Sequence, residues 1–201
     1  INTLYLPNKP LVAHNRMTVH ITAGLGSPWG FFDEPKRASS QFFVYKNGVI
    51  EQFMDSEMQA EADFHGSDAT HSVENEAIWG PLTQEQVESN ARLFQWLRAV
   101  HGVPNQIAWD SKPGPSSHGL AWHRLGIDGA FPALPSPLAG RLQRGGGMLY
   151  SLAGGKECPT APVILQIPEI FRLSQTTTPT TPEDDMYEAA DRARDVEILA
   201  L

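Results

Sequence analysis

Cysteine is almost absent: the 201-residue chain has one, Cys158, in the stretch GGKECPTAP. A single thiol forms no intrachain disulfide, so the fold cannot depend on one. Cys158 is left as a metal ligand, a nucleophile or a small buried apolar residue. Basic residues are also in deficit, with 15 Lys and Arg against 23 Asp and Glu and a formal net charge of -8. Nucleic acids and anionic membranes select basic surfaces, so neither is expected as a partner. No run of 18 apolar residues occurs, which argues against a transmembrane helix. The opening INTLYLPNKP has neither a signal-peptide apolar region nor an initiator Met, so the chain is expected to be a fragment or a processed form. What is present is enough for a core: 41% hydrophobic residues with five Trp and nine Phe imply one soluble globular domain.

Periodicity places the elements. MTVHITAG reads as a strand with Val19 and Ile21 on one face and Thr18 and His20 on the other, ended by Gly24. QFFVYKNGVIEQF is two β-rich runs around Lys46, Asn47 and Gly48, and an Asn-Gly pair in that position predicts a hairpin. HSVENE is a strand that sends Ser72, Glu74 and Glu76 to one side and Val73 and Asn75 to the other. TQEQVESNARLFQWLRAVHG is the clearest helix. Thr83 and Gln86 have capping-box spacing, Val87, Ala91, Phe94, Leu97 and Val100 recur at helical intervals, and Gly102 and Pro104 stop it. GLAWHR reads as a strand ending in His123, and the Gly- and Pro-rich stretch 129–155 as a long loop. VILQIPEIFRL returns to the core, SQTTTPTTPEDD has linker composition, and MYEAADRARDVEILAL has helical spacing. A domain over 1–173 and a tail over 174–201 are expected. Strands and helices in this order imply a mixed central β-sheet flanked by α-helices, an α/β single domain.

Seven histidines are available for chemistry. His101 lies at a helix C-terminus, where partial positive charge is favoured anyway. His14 and His118 lie in loops without further signal, and His65 and His71 flank a polar turn. His20 and His123 differ, because each occupies or ends a short apolar strand where a neutral imidazole needs a partner. Zinc is one such partner, although the wide spacing of His20, His123 and Cys158 is not that of a local zinc finger.

The series VHITAG, SQFFVYKNGVIEQF, HSVENE, LAWHR and GKECP resembles, over roughly residues 15 to 172, the zinc-dependent N-acetylmuramoyl-L-alanine amidase family. That family includes phage endolysin amidases and peptidoglycan-recognition proteins. The resemblance implies three Zn2+ ligands, His20, His123 and Cys158, with Lys156 as a catalytic lysine and Glu76 as a catalytic glutamate. Glu74, on the same strand face, ranks second as the base. Two imidazoles and a thiolate with one open position fit a catalytic zinc rather than a closed structural one. The implied reaction cleaves the amide between N-acetylmuramic acid and L-alanine in peptidoglycan. Two features depart from the family pattern. Ser40 stands where several members have Tyr, so no tyrosine role is expected, and 34 residues separate His123 from Cys158, as in the actinobacteriophage endolysin branch. Arg141 and Arg144, in the intervening stretch, are candidates to meet substrate carboxylates. The resemblance also implies a monomer made in a bacterial host's cytoplasm and acting on its cell wall.

Other readings differ in what they require of Cys158. A binding-only peptidoglycan module would lack the third ligand. A cysteine hydrolase needs its thiol at a helix N-terminus beside a base, which a glycine-rich loop followed by Pro159 does not offer. A structural protein would bury the thiol inertly.

Overall fold

Apolar residues at alternate positions of short strands, and at helical intervals between them, leave both faces of one sheet to be covered. The computed structural model describes residues 9–32, 38–126, 147–151 and 157–176. Lys156, Arg141, Arg144, most of the expected 129–155 loop and the tail beyond 176 lie outside the described residues.

Among the described residues five strands, β1 (Arg16–Val19), β2 (Phe42–Val44), β3 (Ile50–Gln52), β4 (Thr70–Asn75) and β5 (Gly119–Trp122), form a single sheet in the order β3-β2-β4-β1-β5. β1 is the middle of a parallel trio with β4 and β5, and β2 joins β4 in parallel. β2 and β3 pair antiparallel across the Asn-Gly turn, as that dipeptide requires, with Gly48 at φ 82°. The result is the expected mixed α/β single domain. Among the described residues four helices accompany the strands: α1 (Trp29–Phe32), α2 (Gln84–His101), α3 (Ala161–Ile164) and α4 (Ile167–Thr176). Among the described residues no helix is long and apolar enough to cross a membrane.

α2 begins and ends where its sequence dictates. The Thr83 side chain accepts from the Gln86 backbone N–H, the Gln86 side chain accepts in return from the Thr83 N–H, and Gly102 closes the helix in the left-handed conformation at φ 73°. The amide of Gln86 also donates to the carbonyls of Val44 and Glu76, tying the helix start to the sheet. The apolar face of α2, Val87, Ala91, Phe94 and Leu97, packs with Ile167 and Ile170 of α4 over Met17, Val19, Phe42, Val73 and Trp122. The segment expected to rejoin the core thus does so as helices, with Pro162 and Pro168 in first turns, where a missing N–H costs nothing. Alternation along β2 sends the next residue, Phe43, to the other face, into a smaller cluster with Phe32 and Phe53. That other face is the one on which Thr18, Ser72 and Glu74 stand.

Candidate metal centre

The parallel register builds the site. Val19 lies opposite Val73 on one side and opposite Trp122 on the other. One residue further along all three strands come Glu74, His20 and His123, side by side at the C-terminal ends. Backbone bonds hold them there: the His20 N–H donates to Val73 O at 2.8 Å and the His123 N–H to Val19 O at 3.2 Å. In open α/β sheets this end of the strands is where ligands bind, because the chain leaves the ladder there and frees side chains to converge.

Cys158 arrives on a separate segment, immediately before α3. Its Sγ accepts from the Ile21 N–H at 3.4 Å and lies 3.9 Å from His20 Nδ1. The rings of His20 and His123 are 4.3 Å apart at their centroids. One donor atom from each of His20, His123 and Cys158 lies within 4.8 Å of the other two. The two histidines are buried and Cys158 is half-buried. Nitrogen and sulfur donors at this separation, reached from one partly open side, are a set that a zinc-sized ion fits with bonds of about 2.0 to 2.3 Å.

A buried carboxylate absent from the sequence-level candidates completes the surroundings. Asp63 is fully buried, and its Oδ2 lies 3.4 Å from His20 Nε2 and accepts from the Ser72 hydroxyl. Burial alone would lower the His20 pKa, but the charge and hydrogen bond of Asp63 outweigh it, with smaller help from Cys158 and Glu74, and hold it well above its ordinary value. Burial likewise opposes ionisation of Asp63, and His20 with His123 and Ser72 reverses that and keeps it below the usual carboxylate range. Asp63 thus fixes the His20 ring through Nε2 and leaves Nδ1 facing Cys158. Metal-binding histidines are commonly oriented in this way by a carboxylate. Asp63 carried no periodicity or spacing signal, since it lies in a turn just before a 3-10 helix, Phe64–Ala69.

The two acids at the end of β4 have different environments. Glu74 Oε1 lies 3.9 Å from His20 Nδ1. Glu76 accepts from the backbone N–H of Gly26 at 2.9 Å and of Lys46 at 2.9 Å, and these two bonds lower its pKa. Ser40, which stands where several members of the resembled family have Tyr, is buried and donates to the carbonyls of Phe42 and Ser72. His118 lies at the opposite end of β5 from His123, after a short 3-10 turn. Beyond the cluster the surface carries exposed apolar side chains, Leu25 beside Gly26 and Ile78 with Trp79 just past Glu76. The Thr160 hydroxyl donates to Gly80 O, so the chain after Cys158 borders this apolar rim.

No protein-family model matches the chain, and no curated protein sequence does. Among solved structures it is similar to the Staphylococcus aureus hydrolase AmiA in complex with its ligand, at a TM-score of 0.57 and 12% identity, over 86% of this chain and 80% of that one. It is similar to a point mutant of PlyL at a TM-score of 0.55 and 12% identity, over 84% and 88%. The catalytic domain of XlyA gives a TM-score of 0.54 and 14% identity, over 87% and 94%. At such identities the likeness is one of fold.

Proposed function

We propose that the chain is a zinc-dependent peptidoglycan hydrolase of the N-acetylmuramoyl-L-alanine amidase type, with a catalytic domain that runs to the end of α4 at Thr176, three residues past the expected boundary at 173, and a linker and tail beyond it. The observation that carries the reading is the convergence of His20, His123 and Cys158, so distant in sequence, at the open end of three parallel strands. These are the residues that the sequence resemblance singles out, and the fold is similar to that of a hydrolase. His20 Nδ1, a ring nitrogen of His123 and the Cys158 thiolate would hold the ion. Bound there, zinc would polarise the scissile carbonyl and acidify a water at neutral pH.

This chain's own groups do the rest. Asp63 holds the His20 ring in one orientation by accepting from its Nε2–H. We assign the general base to Glu74, in place of the Glu76 expected from sequence, because Glu74 stands beside the ligand histidine while both Glu76 oxygens are engaged by backbone amides. Glu74 takes the proton of the attacking water and returns it to the leaving amine of L-alanine. Lys156, two residues before Cys158, is proposed to stabilise the oxygen on which charge develops. The exposed rim of Leu25, Ile78 and Trp79 offers flat apolar contact to a sugar ring and peptide stem. In this reading the protein is a monomer of endolysin type, made in the host and acting on the wall.

Purified chain incubated with peptidoglycan is expected to release free stem peptides beginning with L-alanine, detected by mass spectrometry of the soluble fraction. A strong chelator should abolish that release and zinc should restore it. Muropeptide bound by the zinc-loaded protein without any release of stem peptide would make it a binding module instead.

A further inference from the structure

Three histidines that the proposed centre does not use meet at the other end and the other face of the sheet. His14 precedes β1, His71 is the second residue of β4, and His101 is the last residue of α2. His71 pairs with Met17, whose side chain lies in the core under α2, so it faces the helix layer and not the His20 cluster. His14 Nδ1 is 3.0 Å from His71 Nε2. The three ring centroids are 4.7 to 5.1 Å apart, and one nitrogen from each ring lies within 4.8 Å of the other two.

Five of the six ring nitrogens have a hydrogen-bond or ion-pair partner, and the sixth is the most deeply buried. His71 is fully buried, and its Nδ1 has no hydrogen-bond partner among the described residues. Burial, with His101 and His14 alongside, lowers its pKa to about 3. His101 is lowered too, by burial and by His14. The outer side carries the compensating charge. Glu57 lies 3.2 Å from His14 Nε2 and 3.1 Å from His101 Nδ1, and the Ser56 hydroxyl lies 2.9 Å from His101 Nε2. Imidazoles oriented by a carboxylate and a hydroxyl are the ligand set of borderline divalent transition ions. The His14 side chain is 24% exposed, which leaves an entry path from solvent.

We infer that His14, His71 and His101 bind a second divalent transition ion, Zn2+ among them, with Glu57 supplying charge on the open side. The ion would clamp the segment before β1, strand β4 and the end of α2 together. It would thus serve the scaffold and take no part in the chemistry at His20.

Metal counting on the full chain tests this independently of the proposed amidase centre. After equilibrium dialysis against zinc, the triple variant His20→Ala, His123→Ala, Cys158→Ser is expected to retain one zinc per chain. Adding His14→Gln and His101→Gln should reduce that to none while far-UV circular dichroism is unchanged. Excess zinc should raise the melting temperature of the triple variant by roughly 5–10 °C at a hundredfold excess over Kd. Cobalt substitution of the unmutated chain gives a second reading that needs no variant to fold. Its thiolate charge-transfer band should saturate at one equivalent, and ligand-field bands without thiolate character should continue to a second. A folded triple variant that holds no zinc, zinc retained after His14→Gln and His101→Gln, or cobalt uptake that ends with the thiolate band, would overturn the inference. Failure of the amidase reading looks different: the thiolate band would be missing while the histidine-only site still filled.

Discussion

Glu74 and Glu76 leave β4 on the same side, two residues apart, yet their neighbours give them different work. Glu74→Gln is expected to keep the zinc and the fold and to slow hydrolysis about 10²- to 10⁴-fold, the usual contribution of a general base. Glu76→Gln should cost activity far less, since its oxygens serve backbone amides. Kinetics with zinc content measured on both variants decides between them, and the reverse ranking would return the base role to Glu76. Asp63 and His20 give a pH signature in chelator-treated protein. His20 has its folded pKa raised above 6.5, so its contribution is complete below 6.5 and is lost as pH rises through the folded value. Asp63 has its folded pKa depressed, so its contribution is present above 3.8 and is lost as pH falls through the folded value. Urea midpoints of the metal-free protein should therefore decline above pH 6.5 as His20 loses its proton, and should also fall below pH 6.5, where unfolding lets the buried His71 take up a proton. Asp63→Asn should flatten the profile, and a midpoint of the unmutated protein that rises above pH 6.5 would contradict the pairing.

At the scale of the element, β5 depends on its first residue. Gly119 has φ 96°, and a Cβ there would clash with Gln106 O, a backbone atom held by the Leu120 N–H and therefore unable to retreat. Gly119→Ala is expected to destabilise the fold by more than about 2 kcal/mol, from the left-handed backbone penalty and the clash together. Because β5 carries His123 at its other end, zinc affinity should fall in the same variant. Denaturant unfolding with parallel zinc titration would measure both, and a variant of unchanged stability would show that β5 can shift to relieve the contact. Arg16 braces the same region from β1. Its fully buried guanidinium lies 3.8 Å over the Tyr150 ring and donates to Thr18 Oγ1, Ser117 O and Trp122 O, which ties the short segment 147–151 to the sheet.

For the whole molecule, the boundary of the folded unit is the testable quantity. Ile167 and Ile170 of α4 lie in the main core and Ser174 is buried, so the unit extends at least to the end of α4 at Thr176. A chain ended after Thr176 is expected to keep its melting temperature and its activity on soluble muropeptides. One ended after Gln166 should not fold. Loss of folding in the first truncation, read by circular dichroism, would put part of 177–201 into the core. The sequence by itself determined most of the strands and the long helix α2. Alternation marked β1 and β4, the Asn-Gly pair marked the hairpin and the capping box marked α2, because each is written in local spacing, whereas His20, His123 and Cys158 are singled out by the family resemblance and not by their spacing. Tertiary structure alone decided what depends on register between strands distant in the chain. It set Glu74 rather than Glu76 beside His20, drew the turn residue Asp63 behind that ring, and gathered His14, His71 and His101, each individually unremarkable, into one cluster. Parallel pairing is the physical reason: it aligns residues about 50 and 100 positions apart, a relation to which no local pattern is sensitive.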